Sequence, residues 1–244
     1  MMRQRYDNVP LFPVRCFNFQ ASDVLVEDTL EKIKKLDYRR YNEPEGVGTS
    51  NDIHANPQFR GLHDWFQQCI DTLHADNGWQ CDRIVVNKSW VNRSDAEKGE
   101  HHAPHRHPMS YLSGIFYLTE GPPTVFLDPL SQREWAQFFL DGGPIEDSRQ
   151  FIHTGAGGCF IFPSYLIHAS VENLGKVDRY SVAFNTFPSG KINQGGWEQH
   201  MAEVETTGWS KLGALRLSDY ACLLYTSDAA DEGLGVDLGG RRII

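Results

Sequence analysis

Three histidines, an arginine and a serine stand where they could bind a metal ion and an anion together. His105 and His107 are separated by one residue and lead into an apolar run, Tyr111 to Leu118. On an extended strand such a pair projects to one side, because side chains alternate with period two. His168 follows 61 residues after His107, at the end of Phe162-Pro163-Ser164-Tyr165-Leu166-Ile167-His168. Arg179 and Ser181 come 11 and 13 residues later and again share one strand face. Neutral imidazoles suit iron, zinc, copper and nickel, and three protein ligands leave positions open for exogenous ones. A guanidinium beside a hydroxyl matches a carboxylate. A metal beside a carboxylate clamp points to an enzyme.

Each of these residues also has a plainer reading. His105 and His107 lie in a His-rich stretch with His101 and His102, which solvated loop histidines would also produce. His102 with His105 is a second possible pair, although His105 with His107 leads directly into the strand. His168 on an apolar segment fits a satisfied core histidine, and Arg179 fits a surface ion pair with Glu172 or Asp178. Asn92, Ser113 and Tyr117 flank the first motif and either bind a cosubstrate or supply ordinary strand polarity. Gly155-Ala156-Gly157-Gly158 precedes a strand rather than a helix, so it reads as a turn and not a phosphate loop.

At these positions the chain resembles the Fe(II)- and 2-oxoglutarate-dependent oxygenases. It is most similar to a bacterial and phage group related to the prolyl hydroxylases. The resemblance is carried by Ser89-Trp90-Val91-Asn92, His105-Arg106-His107-Pro108, Ser113 to Leu118, Phe162 to His168 and Arg179 to Asn185. It covers about residues 82–188, and more weakly Leu11-Phe12-Pro13. It implies Fe(II) on His105, His107 and His168, with 2-oxoglutarate as cosubstrate and its far carboxylate on Arg179 and Ser181. It further implies O2 as co-reactant and hydroxylation of a primary substrate with release of succinate and CO2. Most of the superfamily has a carboxylate where this chain has His107, whereas the related group carries His-x-His. A metal-dependent cupin is the second reading. Gly99 five residues before His105 and Gly114 after it fit a cupin motif, but residues 108–113 lack the expected glutamate. A non-catalytic jelly-roll binding module is the third.

The elements that must position these residues are legible from periodicity. The chain has 244 residues, 40% of them apolar, enough for one domain with a sizeable core. Residues 11–20 read as a strand, and Ser22 or Asp23 caps a helix running to about 39. Residues 41–56 read as loop, and Leu62, Trp65, Phe66, Cys69, Ile70 and Leu73 mark a helix over 57–75. From residue 82 the period becomes two, with strands expected at 83–93, 111–119, 124–127, 158–162, 166–171 and 179–187. Helices followed by close-set short strands predict a mainly β (α+β) fold, a double-stranded β-helix jelly roll with N-terminal supporting helices. The insertion 129–150, with Trp135, Phe138 and Phe139, either packs on the sandwich or covers a pocket. Residues 197–205 suggest a further helix.

The formal charge of −9, with no basic run, argues against a nucleic-acid partner. No apolar stretch approaches the roughly 20 residues of a membrane span, and the first residues lack the apolar stretch of a secretory signal. Cys16, Cys69, Cys81 and Cys159 are scattered and read as free thiols, which fits a cytoplasmic protein. Residues 222–244 look like a translated sequencing adapter. A single oxygenase domain is therefore expected over 1–221, with its jelly-roll core at about 82–188.

Overall fold

The computed structural model describes residues 13–40, 47–50, 53–129, 149–193 and 202–206, all within the compact unit Met1–Trp209. The expected tail at 222–244, Trp135, Phe138 and Phe139 lie outside the described residues. Two antiparallel sheets face each other as a jelly roll. The larger runs β1 (Phe17–Gln20), β8 (Gly158–Pro163), β5 (Leu112–Tyr117), β10 (Arg179–Ile192), β4 (Cys81–Ser94), β3 (Gly48–Ser50) and β2 (Arg39–Arg40). A short strand, β11 (Ala202–Val204), pairs with β10 outside that order. The smaller sheet runs β7 (Arg149–Ile152), β6 (Thr124–Leu127) and β9 (His168–Ser170). A single bridge between His105 and His168 extends it by one segment.

Strict alternation along β10 decides what each face of the larger sheet does. Tyr180, Val182 and Phe184 point outward into the main core, while Arg179, Ser181 and Ala183 line a cavity between the sheets. Across the register, Ser181 pairs with Asn92 on β4 and Tyr117 on β5, and Ala183 pairs with Trp90 and Ile115. Polar residues of three strands therefore meet at one height on the inner face.

The outer face is covered by α1 (Asp23–Ile33) and α2 (Arg60–Asn77). Ser22 caps α1 by accepting from the Leu25 N–H at 3.4 Å. The apolar stripe of α2 buries Leu62, Phe66, Cys69, Ile70 and Leu73 against the sheet. The Phe66 ring stacks on Phe184 at 4.4 Å and meets Phe116 edge-on at 5.8 Å. Burial of one such ring is worth about 1.5–3 kcal/mol, so this aromatic contact anchors the helices to the sheet.

The structure departs from the periodicity in four places. Helix α1 stops at Ile33 rather than 39, because Arg40 is drawn into ion pairs with Asp95 and Glu100 and the chain straightens into β2. Gly48–Ser50 is a strand paired with β4, and Arg149–Ile152 is a strand paired with β6. Ala202–Val204 is strand rather than helix, since β10 runs beyond β5 and offers its edge at Gly190–Ile192. All four are tertiary pairings of short polar segments, which carry little periodic signal of their own. No helix among the described residues is long and apolar enough to cross a membrane.

Gly114 is required by the aromatic contact. A Cβ at this position would lie 2.2 Å from the Phe184 ring. Gly114→Ala is expected to lower stability by about 1–3 kcal/mol through overpacking. Thermal denaturation checks this, and a melting temperature equal to wild type would contradict the packing account.

Candidate active site

His105 and His168 are brought together by backbone bonds in both directions. The His105 N–H donates to the His168 carbonyl, and the His168 N–H to the His105 carbonyl, each at 2.9 Å. This pairing puts two imidazoles distant in sequence on one face, with ring centroids 4.4 Å apart. The His107 N–H donates to the Ser164 carbonyl at 3.1 Å, and its ring lies parallel to His168 at 5.1 Å. The segment feeding the motif is itself held, because Glu100 accepts the Asp95 N–H at 2.6 Å and pairs with Arg40.

The ring orientations suit a shared metal. Nδ1 of His105 lies 2.8 Å from the Ala103 carbonyl, and Nδ1 of His168 lies 3.1 Å from that of Leu166. A carbonyl can only accept, so both Nδ1 atoms carry the proton and each Nε2 keeps a free lone pair. Nε2 of His107 and Nε2 of His168 are 3.3 Å apart. The ligand atoms of the three histidines lie within 4.8 Å of one another. Two nitrogens on one ion are at most about 4.2 Å apart at the usual metal distance, so closure needs shifts of a few tenths of an ångström. The residues present fit a metal ion.

Their electrostatics favour the unprotonated form. Burial, then His105, pushes His168 down to about 3, and its ring packs against Phe162 at 4.8 Å and Phe126 at 5.6 Å. Burial, then His105, His102 and Lys88, pushes His107 down to about 4, with Trp90 tilted against its ring at 5.4 Å. Both rings are neutral at pH 7, the state a metal needs.

Arg179 opens β10 within the same cavity, of about 310 Å³, that the histidines line. It is 4% exposed, and burial presses its guanidinium below the ordinary arginine value. Neither proposed ion-pair partner is used. Asp178 turns instead to Arg93 at 3.2 Å, and no carboxylate pairs with Arg179 among the described residues. Its contacts are Thr124 Oγ1, at 3.4 Å, and the Tyr117 ring, 5.3 Å from the guanidinium carbon. Gly121 lies flat against its stem, where a Cβ would come within 3.0 Å. A buried cation without a counter-charge is costly, and an anion in the cavity would relieve it.

The remaining expected residues divide. Ser181 and Asn92 line the cavity side by side, with Asn92 Oδ1 accepting from Thr49 at 3.3 Å. Tyr117 stands behind Arg179 rather than in the lining, its hydroxyl bonded to Thr124 at 2.7 Å. Ser113 is not in the lining either. Its hydroxyl is taken up by Ser164 at 2.8 Å and Asn185 at 3.0 Å. Thr124 and Ser170 line the cavity without having been singled out by sequence, and Trp90 and Ile115 stand out there only as parts of motifs. Their signal is their place on the inner faces of β4, β5, β6 and β9, readable only once the pairing is known. His102 also lines the cavity.

Comparison with known proteins agrees with this geometry. A family profile described as "Putative 2OG-Fe(II) oxygenase" matches residues 88–185, the span from Lys88 on β4 to Asn185 on β10. Residues 88–185 are therefore similar to that family. No curated protein matches it in sequence. Among solved structures, it is similar to the non-heme alpha-ketoglutarate-dependent epimerase SnoN from nogalamycin biosynthesis. There the TM-score is 0.57 at 12% identity, over 80% of this chain and 90% of that one. HygX from Streptomyces hygroscopicus, solved with nickel and 2-oxoglutarate, gives 0.53 at 14% identity over 80% and 93%. A prolyl-4-hydroxylase from Pseudomonas putida gives 0.53 at 12% identity over 72% and 94%. At such identities the likeness is one of fold.

The depressed histidine values set a pH window for the metal-free protein. His107, His168 and His102 have folded values of about 4, 3 and 3 against 6.5 for the free group, so the unfolded chain binds more protons below pH 6.5. Their contribution is fully present above 6.5 and is lost as pH falls through the folded values. The melting temperature of metal-free protein should therefore fall from pH 7 to pH 5, a range above the titration of most carboxylates. A level or rising melting temperature over that range would contradict the buried, neutral assignment.

Proposed function

We propose that the protein binds Fe(II) through His105, His107 and His168 and uses 2-oxoglutarate and O2 to hydroxylate a primary substrate, releasing succinate and CO2. The observation that carries this reading is Arg179, buried with no carboxylate partner among the described residues, in the same cavity as the histidine triad. Arg179 and Ser181 receive the far carboxylate of 2-oxoglutarate, while Asn92 stands beside Ser181 to bond the same ligand. Tyr117 and Thr124 act through Arg179, holding the guanidinium toward the cavity. Ser113 has a supporting part only, tying β5 to Ser164 and Asn185. Bound iron would supply the activation of O2 and the oxidative decarboxylation of 2-oxoglutarate. Trp90, Ile115 and Ala183 give the cavity apolar walls that keep water from the reacting centre.

A cupin that does not use 2-oxoglutarate would have no need of Arg179, and a structural binding module would need neither Arg179 nor open metal positions. We take residues 1–221 as one oxygenase domain and 222–244 as a non-native tail. A cytoplasmic location is consistent with Cys16, Cys69, Cys81 and Cys159 all being free thiols.

Fe(II)-loaded protein should convert 2-oxoglutarate to succinate, and a metabolite and peptide library identifies the substrate that stimulates it. Arg179→Ala should leave Fe(II) affinity nearly unchanged and weaken 2-oxoglutarate by about 2–3 kcal/mol, or roughly 30- to 150-fold. Equal loss of metal and 2-oxoglutarate binding in that variant would make Arg179 a structural residue and remove the clamp.

A further inference from the structure

His102 lines the cavity, yet neither the metal triad nor the arginine clamp uses it. Its main chain is fixed on both sides of the residue. The His102 N–H donates to Ser170 Oγ at 2.8 Å, and the Ser170 N–H donates to the His102 carbonyl at 3.2 Å. The ring lies 5.8 Å from that of His105 and has Arg179 and His168 as further neighbours. It stands outside the group of three whose ligand atoms lie within 4.8 Å.

What sets this ring apart is that its polar atoms have no protein partner among the described residues. Among the described residues, neither ring nitrogen of His102 makes a hydrogen bond, whereas His101, His105 and His168 each place Nδ1 against a backbone carbonyl. A neutral imidazole carries one N–H donor, and in a half-buried cavity that donor calls for an acceptor. Its neighbours show where the acceptor would lie. Ser170 pairs across β9 and β6 with Thr124, whose hydroxyl takes an N–H of Arg179. His105, His102, Ser170, Thr124 and Arg179 thus form one continuous wall from the triad to the guanidinium. A dicarboxylate bound at both ends of that wall must pass His102.

We propose that His102 is a hydrogen-bond donor to 2-oxoglutarate, holding a carboxylate oxygen between the triad and Arg179, and is not a metal ligand. This rests on the 2-oxoglutarate reading given above. Ser170 is its positioning residue, since it fixes the backbone from which the ring projects.

The test uses the full chain as wild type, His102→Ala and His102→Gln. Ni(II) affinity is measured by equilibrium dialysis, and 2-oxoglutarate affinity by calorimetry on the Ni(II)-loaded protein. His102→Ala should keep Ni(II) affinity within about twofold and bind 2-oxoglutarate about 10- to 100-fold more weakly, as for loss of one bond to a charged group. His102→Gln should recover part of that loss, because its amide can still donate, and its retained Ni(II) site verifies folding. Unchanged 2-oxoglutarate affinity in both variants overturns the proposal. So does loss of Ni(II) in proportion to loss of 2-oxoglutarate, which would make His102 a ligand or a structural residue. Wild-type protein that takes Ni(II) but not 2-oxoglutarate instead overturns the underlying reading, a result the variants cannot imitate.

Discussion

Two backbone hydrogen bonds between His105 and His168 are what the rest of the site depends on. They join a segment that precedes β5 to a short strand of the opposite sheet, and so fix two imidazoles on one face. The third, His107, is set by its own bond to Ser164 one turn of chain before β9. Because these are main-chain bonds, the geometry does not rely on the side chains that do the chemistry. A ligand can be substituted without unpicking the strand pair that presents it.

Around that pair the cavity is built as a set of unpaid electrostatic demands. Burial keeps His107 and His168 neutral, His105 and His168 turn Nδ1 to backbone carbonyls and leave Nε2 for a metal, and a guanidinium is buried with no carboxylate beside it among the described residues. Among the described residues no Asp or Glu lines the cavity, although the chain as a whole carries −9. The candidate triad contains no carboxylate, so a divalent ion there would meet no anionic ligand from it. Both ends of the cavity then favour anions, and a dicarboxylate with a chelating oxo-acid end meets both. The coupling is physical: the ion and the guanidinium attract opposite ends of one molecule.

Much of this was legible in the sequence, for reasons that differ by residue. His105, His107, Arg179 and Ser181 lie on segments where the period-two rule fixes relative direction, so pairs within one segment could be read directly. The link from His107 to His168 was carried by resemblance, since no periodicity spans 61 residues. Thr124 and Ser170 were not legible because their place in the cavity is set by which strands pair, as in Thr124 opposite Ser170. Ser113 shows the opposite error: alternation puts it on the inner face, but its position along β5 sends its hydroxyl to Ser164. The end of α1 was misread because the ion pairs of Arg40, on the far side of the sheet order, outweigh helical spacing.

The central claim is that three histidines, and no carboxylate, hold one ion. X-ray absorption spectroscopy on the Fe(II)-loaded protein, before 2-oxoglutarate is added, tests it most directly. The account predicts one iron per chain with three imidazole nitrogens at about 2.0–2.2 Å and the remaining positions filled by light solvent oxygens. The imidazole count should fall from three to two in His107→Ala. An iron shell with two imidazoles or fewer in the wild type, or a count that His107→Ala leaves unchanged, would contradict it.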